Sequence, residues 1–287
     1  MPTLTGRDVI FTNMASGLGM DTPTNTLSGV AGTAAAAGSG FLSAGLSTNT
    51  IGTTYPATLV GIQLPPGLTA ALRLVLAQSA SNQALPNFLA YFYNMGTVDL
   101  ANAAATPYDG FTADAGVTYP LLRTKYTATS QAITLIPMCY ITTDTATTAP
   151  VFDLQTAAGA AGYVDQDGNS TVGTATMTMP AAATVAQSGY IIRLQPGDTG
   201  VRSISAVRVT TKGTAGAARI FGVEILAGIT IPSTSWTQLD DLAFSGLALP
   251  DLRPATPTAG TLTSYLGVLR LNVTTSGQTI RLLAVLD

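Results

Sequence analysis

Fifteen acidic side chains and no histidine limit the chemistry open to this chain. Without imidazole the commonest general base is missing, and with it the Ser-His-Asp and Cys-His arrangements and nearly every zinc or iron site. Carboxylate chemistry remains. A glycosidase needs two Asp or Glu across a cleft, one of them with a raised pKa. The carboxylates in loop-like sequence are Asp99, Asp109, Asp114, Asp240 and Asp241. Aspartate in loops is also an ordinary turn and cap former, and that reading is preferred for all five. Asp165-Gln166-Asp167-Gly168-Asn169 resembles the first half of a calcium loop, because hard oxygen ligands at alternate positions around a Gly turn suit that ion. The bidentate Glu that completes such a loop is absent nearby, so a hairpin turn is the preferred reading. Glu224, the sole glutamate, lies in strand-like sequence not far from Lys212, a pairing that raises an intramolecular isopeptide bond as one alternative. An outward polar residue, or a partner for an arginine, is preferred. Trp236 and the run Tyr91-Phe92-Tyr93 could stack on sugars, although such rings more often anchor cores and interfaces. No P-loop, dinucleotide fingerprint or C-x-x-C pair is present. No catalytic, cofactor-binding or metal-binding residues are therefore assigned, no cofactor is expected, and the chain is not read as an enzyme.

The elements that would position these residues read as strands. Tyr190 to Leu194 is a short apolar run ended by Pro196-Gly197-Asp198-Thr199-Gly200, whose residues preset φ or tolerate positive φ. Val201 to Thr211 shows an imperfect period of two, which predicts one strand with a bulge near Ala206. Lys212 to Ala217 predicts a Gly-rich turn, and Arg219 to Ile231 a long strand closed by Pro232. Earlier, Ala57 to Leu64 ends at Pro65-Pro66-Gly67. Leu68 to Leu76 fits a strand better than a helix, and Phe88 to Tyr93 is an aromatic run. Residues 98 to 118 predict a long loop, the kind of segment that carries interfaces and binding sites. Tyr119 to Tyr126, Ala132 to Thr142 and Val151 to Leu154 supply further strands. The Asp-Gly pair at 167–168, between Tyr163-Val164 and Thr171 to Met179, predicts a hairpin. Tyr265 to Val273 and Ile280 to Leu286 predict a C-terminal hairpin. A faint echo links Ala71-Leu72-Arg73-Leu74 with Val268-Leu269-Arg270-Leu271; a duplicated sandwich would explain it, but two unrelated hairpins are the preferred reading. Short strands at this spacing predict an all-β fold, a sandwich or jelly roll, either one large or two small.

Composition narrows the partners. The charged fraction is 9% against roughly 25% in ordinary globular chains. Thr, Ser, Ala and Gly must cover most of the surface, which suits a subunit packed against neighbours or an extracellular protein. The basic residues are scattered singly in a chain of net charge −3, so no nucleic-acid partner is expected. No apolar window reaches the ~18 uninterrupted residues of a membrane span, and no membrane partner is expected. Met1 to Gly19 lacks the pattern of a secretory signal. Cys139 is the sole cysteine and cannot form an intrachain disulfide; its apolar neighbours predict a buried thiol. Residues 1–55 read as an extended N-terminal arm with too little apolar surface to fold alone. Residues 56–158 read as a β-rich region and 159–287 as a β-sandwich region. The arm would be held by its own body or laid across a neighbouring subunit.

The run Leu194-Gln195-Pro196-Gly197-Asp198-Thr199-Gly200-Val201-Arg202-Ser203-Ile204, followed by Phe221-Gly222-Val223, is similar to runs in virion structural proteins of tailed bacteriophages. It spans about a sixth of the chain and is not a defined functional motif. The resemblance implies membership of a virion, with no enzymatic residues to carry over. Major shell proteins of such phages have long helices and an extended charged loop, patterns this sequence lacks. The expected role is a capsid decoration (cement) protein on the capsid surface, bridging capsomers, with the major capsid protein and copies of itself, as a homotrimer, for partners. A tail, baseplate or fibre component and a carbohydrate-binding adhesin module are the alternatives.

Overall fold

A computed structural model describes residues 19–21, 25–27, 61–64, 72–79, 85–114, 116–124, 130–143, 148–173, 176–178, 189–231, 236–238, 254–260, 262, 264–270 and 278–286. The described residues form twenty-two strands and no helix, so none of them makes a helix long and apolar enough to cross a membrane. In chain order the strands are β1 (Gly19–Asp21), β2 (Asn25–Leu27), β3 (Gly61–Leu64), β4 (Leu72–Ser79), β5 (Leu85–Asp99), β6 (Tyr108–Asp109), β7 (Phe111–Ala113), β8 (Thr118–Thr124), β9 (Ser130–Ala132), β10 (Ile136–Thr143) and β11 (Val151–Asp153). There follow β12 (Tyr163–Asp165), β13 (Ser170–Thr171), β14 (Met177–Thr178), β15 (Gly189–Ile191), β16 (Val201–Ile204), β17 (Arg208–Thr211), β18 (Ala217–Ile231), β19 (Trp236–Gln238), β20 (Thr256–Ala259), β21 (Ser264–Arg270) and β22 (Gln278–Leu286).

The strands build five antiparallel sheets. The largest runs β15-β10-β18-β5-β21-β3, with β7 taking the edge of β5 beyond the point where β21 ends: β21 reaches Tyr93, and β7 pairs from Gly96. That exchange requires a glycine. A Cβ on Gly96 would strike the Thr112 carbonyl and approach the Phe111 ring to 2.7 Å. A second sheet runs β1-β22-β4-β19 with β2 also on β22, and smaller sheets run β14-β11-β17-β6, β13-β12-β16 and β20-β8-β9. Strands from 56–158 and from 159–287 thus share sheets. Within the N-terminal segment, β1 and β2 pair with the chain's own β22; the rest of residues 1–55 lies outside the described residues.

β5 shows why the sequence folds this way. Leu89, Ala90, Tyr91, Phe92 and Tyr93 are all 0% exposed, so a continuous apolar run here marks a central strand covered on both faces. On one face Phe92 meets Phe221 edge-on with centroids 6.3 Å apart, and Tyr140 meets Phe221 likewise at 6.3 Å. Such edge contacts add about 0.5–1.5 kcal/mol each beyond the area buried. Cys139 is buried in this core as expected, and burial pushes its thiol well above the ordinary range.

Several elements differ from expectation. Val201 to Thr211 is two strands, not one bulged strand, because Ser205 and Ala206 both aim their N–H groups at the Gly162 carbonyl (2.8 and 3.2 Å) and turn the chain out of one sheet into another. Register shifts lie to either side of that break rather than at Ala206, with Arg202 the extra residue against Val164/Asp165 and Thr210 against Val151/Phe152. Residues 98 to 118 are not one long loop: β5 continues through Asp99, β6 and β7 follow, and among the described residues of this range the longest continuous exposed stretch is Asn102 to Pro107. Thr171 to Met179 divides likewise, β13 pairing with β12 and β14 with β11. The expected C-terminal hairpin does not form either. β21 pairs with β5 and β3, whereas β22 pairs with β4, β1 and β2, so the two strands carry the chain between sheets. The echo strands, β4 and β21, accordingly lie in different sheets.

Candidate functional site

Three polar constellations stand out, and each begins with a residue the sequence had already made conspicuous. The first surrounds Glu224. Tyr91 sits directly opposite Glu224 across the β5–β18 ladder, so Tyr91, Tyr93 and Glu224 share a face. Tyr93 donates its hydroxyl proton to Glu224 Oε2 at 2.9 Å and accepts the Ala255 N–H at 2.9 Å. From β8, Arg123 donates Nη2 to the same Glu224 oxygen at 2.5 Å, with the two side chains 8% and 14% exposed. Burial, reinforced by the Glu224 charge, raises both tyrosine pKa values, so the phenols stay protonated donors at ordinary pH. Burial works against the Arg123 charge, but its bond to Glu224 and the attraction behind it outweigh that, and its pKa is raised. The result is a clamp between the largest sheet and the β20-β8-β9 sheet. Glu224 is thus a partner for an arginine, one of the two preferred readings. Lys212 donates instead to the Ala103 and Ala104 carbonyls at 3.5 and 3.4 Å, so it does not join Glu224 in an isopeptide set.

The second constellation is a braced pair of turns. The predicted hairpin forms, with β12 and β13 joined through Asp165 to Asn169. Asp165 Oδ1 accepts the N–H groups of Asp167 and Asn169, both at 2.8 Å, and Oδ2 accepts Asn169 Nδ2 at 3.2 Å and Thr171 Oγ1 at 3.4 Å. Burial pulls its pKa upward, but the donors from Asn169, Asp167 and Gly168 prevail and hold it below the ordinary aspartate value. Donors from its own turn surround this carboxylate, which is what a turn requires. Gly168 takes φ +94°, and a Cβ there would meet Arg202 Nη1 at 2.9 Å. The neighbouring Pro196-Gly197-Asp198-Thr199-Gly200 turn is tied to this hairpin. Tyr163 donates to Asp198 Oδ2 at 2.5 Å and accepts the Gln195 N–H, while Thr199 N–H bonds Gln166 Oε1 at 3.0 Å. Burial, with the bond to Asp198, pushes the Tyr163 hydroxyl up to about 12. On the adjoining sheet Arg208 grips Asp153 with Nε at 3.1 Å and Nη2 at 2.7 Å; the Asp153 side chain is 1% exposed.

The third is the segment from Asp99 to Asp114. Asp99 Oδ1 accepts the Ala101 N–H at 2.9 Å and Asp109 Oδ1 the Phe111 N–H at 3.2 Å, the turn roles expected of them. Asp114 accepts Asn94 Nδ2 at 2.5 Å; burial raises its pKa against the opposing pull of Asn94 and Arg219. Asp240 and Asp241 lie outside the described residues. Trp236 pairs through its backbone with Gln78 of β4, and Tyr91, Phe92 and Tyr93 are core. Among the described residues no group of three or more His, Cys, Asp or Glu could hold a metal ion. Sequence reasoning missed the Arg123–Glu224–Tyr93 clamp and the Tyr163–Asp198 tie; a lone glutamate in an apolar strand and a tyrosine opening a hairpin were the available signals. No protein-family model, curated protein or solved structure matches this chain.

Proposed function

We propose that this chain is a structural subunit of a tailed-bacteriophage virion: a decoration protein with a sandwich or jelly-roll body that binds the capsid surface and bridges capsomers as a homotrimer. The observation that carries the reading is where the charges go. In a chain with only 9% charged residues, Arg123, Glu224, Asp153, Arg208 and Asp165 are all engaged in holding strands and turns together. What the antiparallel body then offers a neighbour is largely neutral, Thr- and Ala-rich surface on rigid strands and braced turns. Such surface makes modest contacts that add through multivalency over a symmetric shell. The major capsid protein would be the partner.

The test is the mass of the purified chain in solution, by light scattering, with and without isolated shells that lack it. A stable small oligomer that binds saturably to bare shells supports decoration. Absence of binding overturns it, and recovery on tails or on glycans would point to a tail component or an adhesin.

A further inference from the structure

Asp-Gly occurs twice in the chain, at Asp109-Gly110 and at Asp167-Gly168, and Asn-Gly does not occur. The pair has a chemistry of its own. With no Cβ on the following residue to hinder it, the glycine nitrogen can attack the carboxyl carbon of the aspartate before it and close a five-membered imide. Whether it does so depends on how firmly the fold holds that nitrogen, and the two pairs are held differently. Gly110 is buried; its N–H bonds the Val207 carbonyl and its carbonyl accepts the Asp99 N–H, both at 2.9 Å. Asp109 pairs with Arg208 in the ladder, and its carboxylate is committed to the Phe111 N–H. A Cβ on Gly110 would stand 2.7 Å from the Asp99 carbonyl oxygen, so other backbone crowds this peptide. Asp167 and Gly168, by contrast, are both exposed at the tip of the β12–β13 hairpin. The Gly168 N–H makes a 3.2 Å bond to the Asp165 carbonyl, at the long end of the ordinary range. Among the described residues, what lies within 4 Å of a Cβ placed on Gly168 is the end of the Arg202 side chain. The Asp167 carboxylate accepts Gln166 Nε2 at 3.0 Å, another exposed contact.

Exposed backbone bonds open at low cost, and a reaction of the opened segment follows the population that opens. We infer that Asp167-Gly168 is a site of spontaneous backbone modification, converting to isoaspartate in the folded chain, and that the fold protects the same pair at 109–110. Water is the only co-reactant. The Gly168 nitrogen loses its proton and forms a bond to Cγ of the Asp167 carboxyl, taken in its acid form, and one molecule of water leaves. Water then adds at the Asp167 main-chain carbonyl carbon and breaks that carbon's bond to the Gly168 nitrogen. The chain now runs through Cβ and Cγ of Asp167, one methylene longer; the former main-chain carbonyl is a carboxylate, and the mass is unchanged. The added methylene falls between the Asp167 and Asn169 N–H groups that Asp165 Oδ1 holds together, both at 2.8 Å. Conversion therefore undoes this turn and loosens the tie from Gln166 to the Thr199 N–H beside it.

The experiment is prolonged incubation of the purified full chain in neutral buffer, beside a sample kept in concentrated urea, followed by peptide mapping with fragmentation that separates isoaspartate from aspartate. In the folded chain isoaspartate should accumulate at 167 at least about tenfold faster than at 109, and in urea, where the fold no longer separates them, the two rates should agree within about threefold. Asp167→Glu should abolish the product at 167, because the longer side chain would have to close a six-membered ring. Amide exchange at Asn169 and Thr199 should quicken in the isomerised fraction. Equal rates at the two pairs in the folded chain, a tenfold difference that persists in urea, or a folded chain that forms isoaspartate at neither pair while the unfolded chain forms it at both would overturn the inference. Unchanged exchange at Asn169 and Thr199 in the isomerised fraction would overturn the opening of the turn. The inference stands or falls apart from the decoration reading, since no readout here involves a shell.

Discussion

Glu224 and Asp165 are both carboxylates surrounded by donors, but their donors come from different distances along the chain. Those of Asp165 lie two to six residues away, within one turn. Those of Glu224 come from Tyr93 and Arg123, 131 and 101 residues away. The turn carboxylate is neutralised by backbone and amide dipoles that arrive with it, whereas the strand carboxylate needs a full positive charge from another sheet. Local satisfaction makes a turn self-sufficient. Long-range satisfaction makes the clamp a condition on how two sheets meet, and removing one member leaves the other buried and uncompensated.

The largest effect should therefore come from breaking the clamp on one side. Glu224→Ala strands Arg123 and is expected to cost about 3–5 kcal/mol in urea denaturation. The double replacement Arg123→Met with Glu224→Leu should recover most of that loss, because two apolar groups leave no orphaned charge. A single variant within about 0.5 kcal/mol of wild type would show that the clamp does not carry the sheet contact. Next, Tyr93→Phe removes a donor to Glu224 and an acceptor for the Ala255 N–H, and about 1–3 kcal/mol should go with them. On the turn side, Gly168→Ala forces a Cβ into φ +94°. About 1–2 kcal/mol is the expected loss, with little added by Arg202, whose flexible end can move aside.

The smallest effects are pH effects, and they have opposite signs. Asp165 is held below its ordinary pKa, so its contribution is present above the ordinary aspartate range and disappears as pH falls through its lowered folded value. Asp114 is raised, so the folded state holds its proton more tightly than the unfolded chain does. Acidification through that raised value relieves a penalty present at neutral pH. Urea midpoints followed from neutral to acid pH should show Asp165→Asn losing part of the wild-type decline and Asp114→Asn losing part of the gain that precedes it. Identical pH profiles for all three proteins would remove both residues from the titration.

Much of the local structure was legible. Asp-Gly at 167–168 marked a hairpin because only a few residues accept the backbone angles of such a turn, and the hairpin is there. Pro196 to Gly200 marked a turn, and Phe88 to Tyr93 stood out as an aromatic run, which the structure makes part of β5 with Leu89 to Tyr93 buried. As carboxylates Asp99 and Asp109 could serve catalysis, although the sequence favours turn formers; they lie at the ends of β5 and β6 rather than in a loop, and each accepts the N–H two residues on. What could not be read was where strands change partners. Ser205 and Ala206 look like any alternating pair, yet both bind the Gly162 carbonyl and split one expected strand between two sheets. Tyr265 to Leu286 looks like a hairpin, yet its halves pair with β5 and β4.

By itself the sequence determined that this chain is built of strands and where several of its turns fall, at 165–169, 196–200 and 212–217. Those properties follow from side-chain period, backbone angles and composition, which act over a few residues. The tertiary structure alone decided which strands adjoin, which arginine meets the single glutamate, and which of the predicted loop's residues stay exposed. Alternation fixes the face a strand buries but not its neighbour. Many antiparallel pairings of such similar Thr-, Ala- and Leu-rich strands would satisfy the period equally, and only the joint packing of all five sheets selects one.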